Sequence, residues 1–72
     1  MADKKYLKLF GTRIRELRKQ RNLTQESLAE KIGFSVNFIG MIERGERNTT
    51  VENVFKIAHA LDVSLSEFFK DM

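Results

Sequence analysis

The chain has 72 residues, a net charge of +3 and a single histidine, His59, with neither cysteine nor proline. That length predicts one small domain over residues 1–72, and the missing cysteines exclude disulfide scaffolds, thiol catalysis and zinc sites of sulfur and imidazole ligands. No apolar run approaches the ~20 residues of a membrane span, and Lys4, Lys5 and Lys8 precede no continuous hydrophobic stretch, so no signal peptide or membrane anchor is expected and a reducing cytoplasm fits.

The residues then divide into five predicted helices. Leu7, Phe10, Ile14 and Leu17 recur at the three-and-four spacing of one helical face, with charges between them as far as Arg21, which marks the first helix. Thr24 offers a side-chain oxygen to the amides of a second helix with Leu28, Ala29 and Ile32 as its buried stripe, and Gly33 suits the left-handed turn that ends it. Ser35 caps a third helix from Val36 to Arg44, stopped by Gly45. The polar stretch from Glu46 to Thr50 is a loop, and Thr50 caps a fourth helix whose apolar face is Val51, Val54, Phe55, Ala58 and Leu61. Ser64 and Glu67 read as a capping box that opens a last short helix carrying Leu65, Phe68 and Phe69, with Met72 at its end.

Charge is unevenly placed. Residues 1–21 hold eight basic residues against Asp3 and Glu16, a net of +6, so the remainder carries −3. A concentrated basic segment favours a polyanionic partner through counterion release, although many cytosolic proteins are equally basic. Two short helices joined at a glycine, spanning about 24–44, form the geometry that lays a helix in the major groove of DNA. At 100° per residue, Ile39, Ile42 and Ser35 fall on one side of the third helix, and Asn37, Gly40, Met41 and Arg44 on the other. Asn37 can pair bidentately with the N6 and N7 edge of adenine. Val36 and Met41 are either thymine-methyl contacts or ordinary half-exposed apolar residues. Gly40, costly inside a helix, implies close approach by the second helix or by a DNA backbone. Gln25, at the start of the second helix, sits at a seat for phosphate. Arg44, Arg47, Asn48, Thr49 and Thr50 are placed to follow the sugar-phosphate backbone, or else form a merely polar loop. Glu43 and Arg18 each border the apolar stripe of their helix, and a guanidinium can satisfy a carboxylate there with two parallel hydrogen bonds, so they are expected to pair, the alternative being two independent solvated charges.

The stretches Leu23-Thr24-Gln25-Glu26, Leu28-Ala29, Ile32-Gly33, Ile39, Ile42-Glu43-Arg44-Gly45 and Ala58-His59-Ala60-Leu61 resemble the phage repressor and Cro-type helix-turn-helix family over residues 7–70. The resemblance implies an all-α, five-helix lambda-repressor-like domain. It implies a homodimeric transcription regulator on an inverted-repeat operator of double-stranded DNA, with no cofactor and no metal. It further implies Gln25 as a phosphate contact, Ser35, Val36, Asn37 and Met41 as groove-facing positions, Arg18 with Glu43 as the buried pair, and backbone contacts from Arg44 through Asn48. Gly40 departs from a frequent Ser, and proline is missing near Thr49 and Thr50. Leu65, Phe68, Phe69 and Met72 give the last helix more apolar surface than a small core needs, so they are the expected dimer contact. Stand-alone repressors and the controller proteins of restriction-modification systems both fit, and the stretch from Ile42 through Phe69 leans towards a controller. Glu26 and Glu30 are candidates to touch RNA polymerase. Catalysis is not expected: no nucleophile has a base beside it, and His59 lies between Ala58 and Ala60. The competing class is a protein-interaction module, antitoxin-like or cofactor-recruiting, which would use the last helix without needing Asn37.

Overall fold

The computed structural model describes residues 4–72, so Asp3 lies outside the described residues. Five helices follow in order: α1 Lys5–Gln20, α2 Gln25–Ile32, α3 Val36–Glu43, α4 Val51–Ala60 and α5 Leu65–Phe68. No strand occurs among the described residues. Helix α1 lies against α3, α3 against α2, and α2 against α4, while α5 packs on α4. Ile14, Leu28, Ile39, Ile42, Ile57, Leu61 and Phe68 are fully buried where these helices converge. Each such side chain removed from water contributes about 1.5–3 kcal/mol, against an ordering cost that leaves a domain of this size a net ~3–5 kcal/mol.

Helix starts follow from capping. The Oγ atoms of Ser35, Thr50 and Ser64 accept the N–H groups of Phe38, Asn53 and Glu67, each three residues on. The reciprocal box forms at the start of α2, where the Thr24 N–H donates to Ser27 Oγ at 2.9 Å and the Ser27 N–H donates to Thr24 Oγ1 at 3.0 Å. Ser64 receives only the forward bond, because a serine three residues after the cap can fold back where the longer Glu67 turns to solvent. Gly33, at φ +86°, ends α2 with its N–H on the Ala29 carbonyl, and two residues later α3 begins. A side chain at that φ would be strained.

Three sequence expectations are corrected. Phe68 is not spare surface: it is fully buried, with its ring 5.4 Å from that of Phe10. A four-residue helix is too short for periodicity to tell its inner from its outer face. Leu65 is half-buried against the core. Val51 and Phe55 are 73% and 55% exposed, and the inner face of α4 is Ile57, Ala58 and Leu61 with Val54 at its edge. One helical turn separates Val51 from Phe55, so they form a consistent apolar strip, but it points outward.

Gly11 sets the distance between α1 and α3. A Cβ there would lie 2.3 Å from the Ile42 carbonyl oxygen and 2.6 Å from that of Glu43. Alanine is normally better than glycine in a helix by about 1 kcal/mol, but three backbone atoms this close cannot yield as a side chain would. Gly11→Ala is therefore expected to destabilise by about 2 kcal/mol or more. Thermal unfolding should show a midpoint roughly 10 °C lower. An unchanged or raised midpoint would remove the backbone contact from the account.

Candidate nucleic-acid interface

Glu43 joins the two ends of the site. Its side chain is 3% exposed and that of Arg18 10%. Arg18 donates from Nε to Glu43 Oε2 at 2.7 Å and from Nη2 to Oε1 at 3.1 Å, and its Nη1 donates to the Leu23 carbonyl at 2.8 Å. Gln25 Nε2 donates to Glu43 Oε1 at 3.0 Å. A carboxylate withdrawn from water is costly unless hydrogen bonds satisfy it, and here three N–H groups do. No buried side-chain nitrogen or oxygen lacks a partner among the described residues. The network ties α1, the start of α2 and the end of α3 at one point.

With α3 held this way, Ile39 and Ile42 face the core while Val36 and Asn37 stand in solvent and Met41 is half-buried. Ser35 is exposed, its Oγ accepting from Phe38 while its hydroxyl hydrogen stays available. Gly40 does not belong to this outer strip. It is buried, and a Cβ would meet Arg44 Nη1 at 3.1 Å and Gln25 Oε1 at 3.8 Å. The turn at Gly33 brings the start of α2 over α3, and the Gln25 and Arg44 side chains close across the backbone there. Of Gln25's two amide hydrogens, one serves Glu43 and the other remains.

The loop after α3 is organised by its own side chains. Arg44 Nε lies 3.1 Å from Glu46 Oε2, both groups being more than half exposed. Such a pair contributes under about 1 kcal/mol, so Arg44 exchanges it readily for another anion. The Thr49 N–H donates to Asn48 Oδ1, Thr49 Oγ1 accepts from Asn53 Nδ2, and Thr50 Oγ1 accepts from the Asn53 N–H. The two threonine oxygens thus fasten the loop to α4. Arg47 is held differently: its guanidinium carbon lies 5.5 Å from the centre of the Phe38 ring, which Phe34 meets edge-on at 5.2 Å. Phe38 was not singled out by the sequence. Its signals were the one-turn spacing from Phe34 and an arginine within reach of its ring.

Three of the eight basic residues of the first segment bond to other parts of the protein. Arg13 donates from Nε to the Phe68 carbonyl at 2.8 Å and from Nη2 to that of Glu67 at 2.9 Å. Arg21 Nη2 donates to the Asp62 carbonyl at 3.3 Å. With Arg18 on Glu43, three arginines of this segment satisfy groups of the protein itself, and the free carbonyls at helix ends are natural acceptors for them. Glu43 cancels the charge of Arg18, whereas bonds to neutral carbonyl oxygens leave Arg13 and Arg21 fully charged. The four dimer candidates separate: Phe68 and Leu65 belong to the core and its margin, whereas Phe69 and Met72 are exposed. The exposed pair lines an apolar groove of about 350 Å³ with Tyr6, Leu9 and Val54.

A helix-turn-helix family model matches residues 14–68, which contain α2, α3 and the Arg18, Gln25 and Glu43 network. The chain belongs to the helix-turn-helix family. Control protein C.MunI of Mycoplasma sp is 39% identical over 64 residues, spanning 88% of this chain and 86% of that protein. The restriction-modification controller protein C.AhdI from Aeromonas hydrophila superposes with a TM-score of 0.83 at 44% identity, over 88% of this chain and 96% of that one. The C.Esp1396I controller, solved as a tetramer in complex with its natural 35 base-pair operator, superposes with a TM-score of 0.83 at 34% identity, over 89% and 84%. The five-helix arrangement is shared with these helix-turn-helix neighbours, and no described helix is long and apolar enough to cross a membrane.

Replacing Glu43 tests the anchor. Glu43→Ala leaves the Arg18 guanidinium enclosed with only the Leu23 carbonyl, a loss of about 3–5 kcal/mol that matches the whole stability of so small a domain. Circular dichroism should find the variant largely unfolded at 37 °C. Arg18→Met with Glu43→Leu, which removes both charges, should recover much of the helix signal, and a melt of Glu43→Ala equal to wild type would refute the anchoring role.

Proposed function

We propose that this protein is a sequence-specific double-stranded DNA-binding transcription regulator that grips an inverted-repeat operator as a homodimer, in the manner of a restriction-modification controller. The observation that carries the proposal is the outward strip of α3, Val36 and Asn37 in solvent, mounted on a helix-turn-helix whose relatives include C.Esp1396I on its operator. Asn37 pairs with an adenine edge in the major groove, and Val36 and Met41 meet thymine methyls beside it. Ser35 contributes its free hydroxyl hydrogen at the same end of α3. Gln25, Arg44, Arg47, Asn48, Thr49 and Thr50 contact phosphates on either side of the reading helix, fixing register without carrying sequence information. The domain is the single unit 1–72, with its helix-turn-helix at about 24–44, and it acts in the cytoplasm, where the DNA is. The reading requires no catalytic step, cofactor or metal. Exposed Glu26 and Glu30 on α2 are the surface offered to RNA polymerase.

The dimer forms through Phe69 and Met72 together with Tyr6 and Leu9. Exposed apolar side chains gathered about one groove are the surface that a second copy removes from water, and the tetrameric state of C.Esp1396I supports self-association. Two subunits joined this way read half-sites about one DNA turn, ~34 Å, apart. Phe69→Asp is expected to shift sedimentation at micromolar concentration from dimer to monomer and to weaken operator binding. A wild type that sediments as monomer throughout would rule out the dimer.

Selection of bound duplexes from a random library tests the function directly. Wild type should enrich an inverted repeat with centres one helical turn apart. Asn37→Ala should lose about 1–3 kcal/mol of discrimination at one base pair of each half-site while melting at the wild-type temperature. A folded wild type that enriches nothing would move the assignment to a protein-interaction module.

A further inference from the structure

Lys8 is distinguished from the other surface lysines by its neighbour. Gly45 lies between Arg44 and the rest of the loop at φ +75°, and a Cβ there would stand 2.8 Å from Lys8 Cγ and 3.0 Å from Lys8 Cα. The first part of α1 therefore touches the loop backbone itself. One turn further along α1, Gly11 holds the same approach against the Ile42 and Glu43 carbonyls.

The charge of Lys8 is also uncommitted. The residue is exposed, and no carboxylate lies within ion-pair distance of it among the described residues. The arginines around it are engaged: Arg13 on the carbonyls of α5, Arg18 on Glu43 and Arg44 on Glu46. Of the acidic groups, Glu43 lies in the buried network and Glu46 is paired with Arg44, while Glu16 and Asp71 share with Lys8 the lining of a pocket without pairing to it. A cation without a carboxylate partner is thus carried on a side chain whose stem packs against Gly45, which lies between Arg44 and Arg47 in the chain.

We infer that Lys8 is a phosphate-binding residue, adding a third cation to the rim formed by Arg44 and Arg47 although it belongs to α1, outside the helix-turn-helix. The inference rests on the reading of the loop as a DNA-backbone contact. A lysine suits the position, because a flexible point charge meets a phosphate oxygen from many directions where a guanidinium needs a defined plane. Such a contact adds affinity and salt dependence and is blind to base sequence. The structural reason for glycine at position 45 is then shared with function: any side chain there would push α1, and Lys8 with it, off the rim.

The test compares wild type, Lys8→Gln, Lys8→Arg and Lys19→Gln by fluorescence anisotropy on the selected operator and on an unrelated duplex, each over a range of salt. Glutamine keeps the Cβ and Cγ that touch Gly45, so melting temperatures should match. Lys8→Gln should lower the magnitude of the slope of log K against log salt by about 0.9 per subunit, or about 1.8 per dimer. It should weaken both duplexes alike, leaving their ratio unchanged. Lys8→Arg should retain the slope, and Lys19→Gln, at the far end of α1, should retain it as well. A Lys8→Gln slope equal to wild type, or an equal drop for Lys19→Gln, overturns the assignment of Lys8 and leaves DNA binding intact. A wild type with no affinity for any duplex overturns both.

Discussion

The buried carboxylate of Glu43 constrains everything built around it. Apolar contact is non-directional, so Ile39 and Ile42 alone would hold α3 to the core while tolerating some rotation about its axis. Two parallel bonds from Arg18 and a third from Gln25 do not tolerate it. The same three bonds also fix α1 and the first residue of α2, so the rotation that turns Asn37 outward and the position that brings Gln25 over Gly40 have one origin. A buried ion pair of this kind adds little net stability over an apolar substitute, yet removal of one partner is severe. Its contribution here is orientation.

Charge and its availability are separate quantities in this molecule. The sequence concentrates basic residues before position 22; of these the Arg18 guanidinium is buried on Glu43, while Arg13 and Arg21 reach from α1 to carbonyl oxygens of other segments. A domain with so few buried apolar residues closes its helix ends with long side chains reaching from α1, which fixes where those cations stand without neutralising them. On the loop side of α3, Arg47 is held over Phe38 and Arg44 is lightly held by Glu46. The outer strip of α3 is set by the buried Glu43 network, whereas the loop cations beside it are held by weak contacts that an anion can replace.

The apolar surface divides in a comparable way. Phe10, Phe68 and Phe69 form one aromatic group, with Phe68 sealed inside and Phe69 at the rim. Tyr6, Leu9 and Met72 continue that rim into the groove, and Val51 and Phe55 stand exposed on α4. Asn48 and Thr49 line the same groove, so the loop after α3 borders this apolar rim.

Local chemistry in the sequence was sufficient to locate the elements. Thr24, Ser35, Thr50 and Ser64 mark helix starts because a short oxygen-bearing side chain answers amides three residues ahead, and Gly33 marks a turn because only its φ is unstrained there. The stripes of α1 and α2 were likewise legible, while on α3 periodicity found Ile39 and Ile42 but misplaced Gly40, and on α4 it took in the exposed Val51 and Phe55. The five helices and candidate roles for Gln25 and Asn37 were read from the residues, and the family resemblance implied the same fold and roles. Other features depended on contacts between residues far apart in the chain. Gly11 gives no local signal of the Ile42 carbonyl that excludes a Cβ, nor Gly45 of Lys8. Arg13 looks like any helical arginine until α5 brings its last carbonyls within reach. The burial of Phe68 and the exposure of Phe55 were settled by which face of a short or partly covered helix met a neighbour. Local periodicity determines where helices run, because it depends on bonds a few residues apart. Which of their charges and rings remain free is decided only when distant segments compete for them.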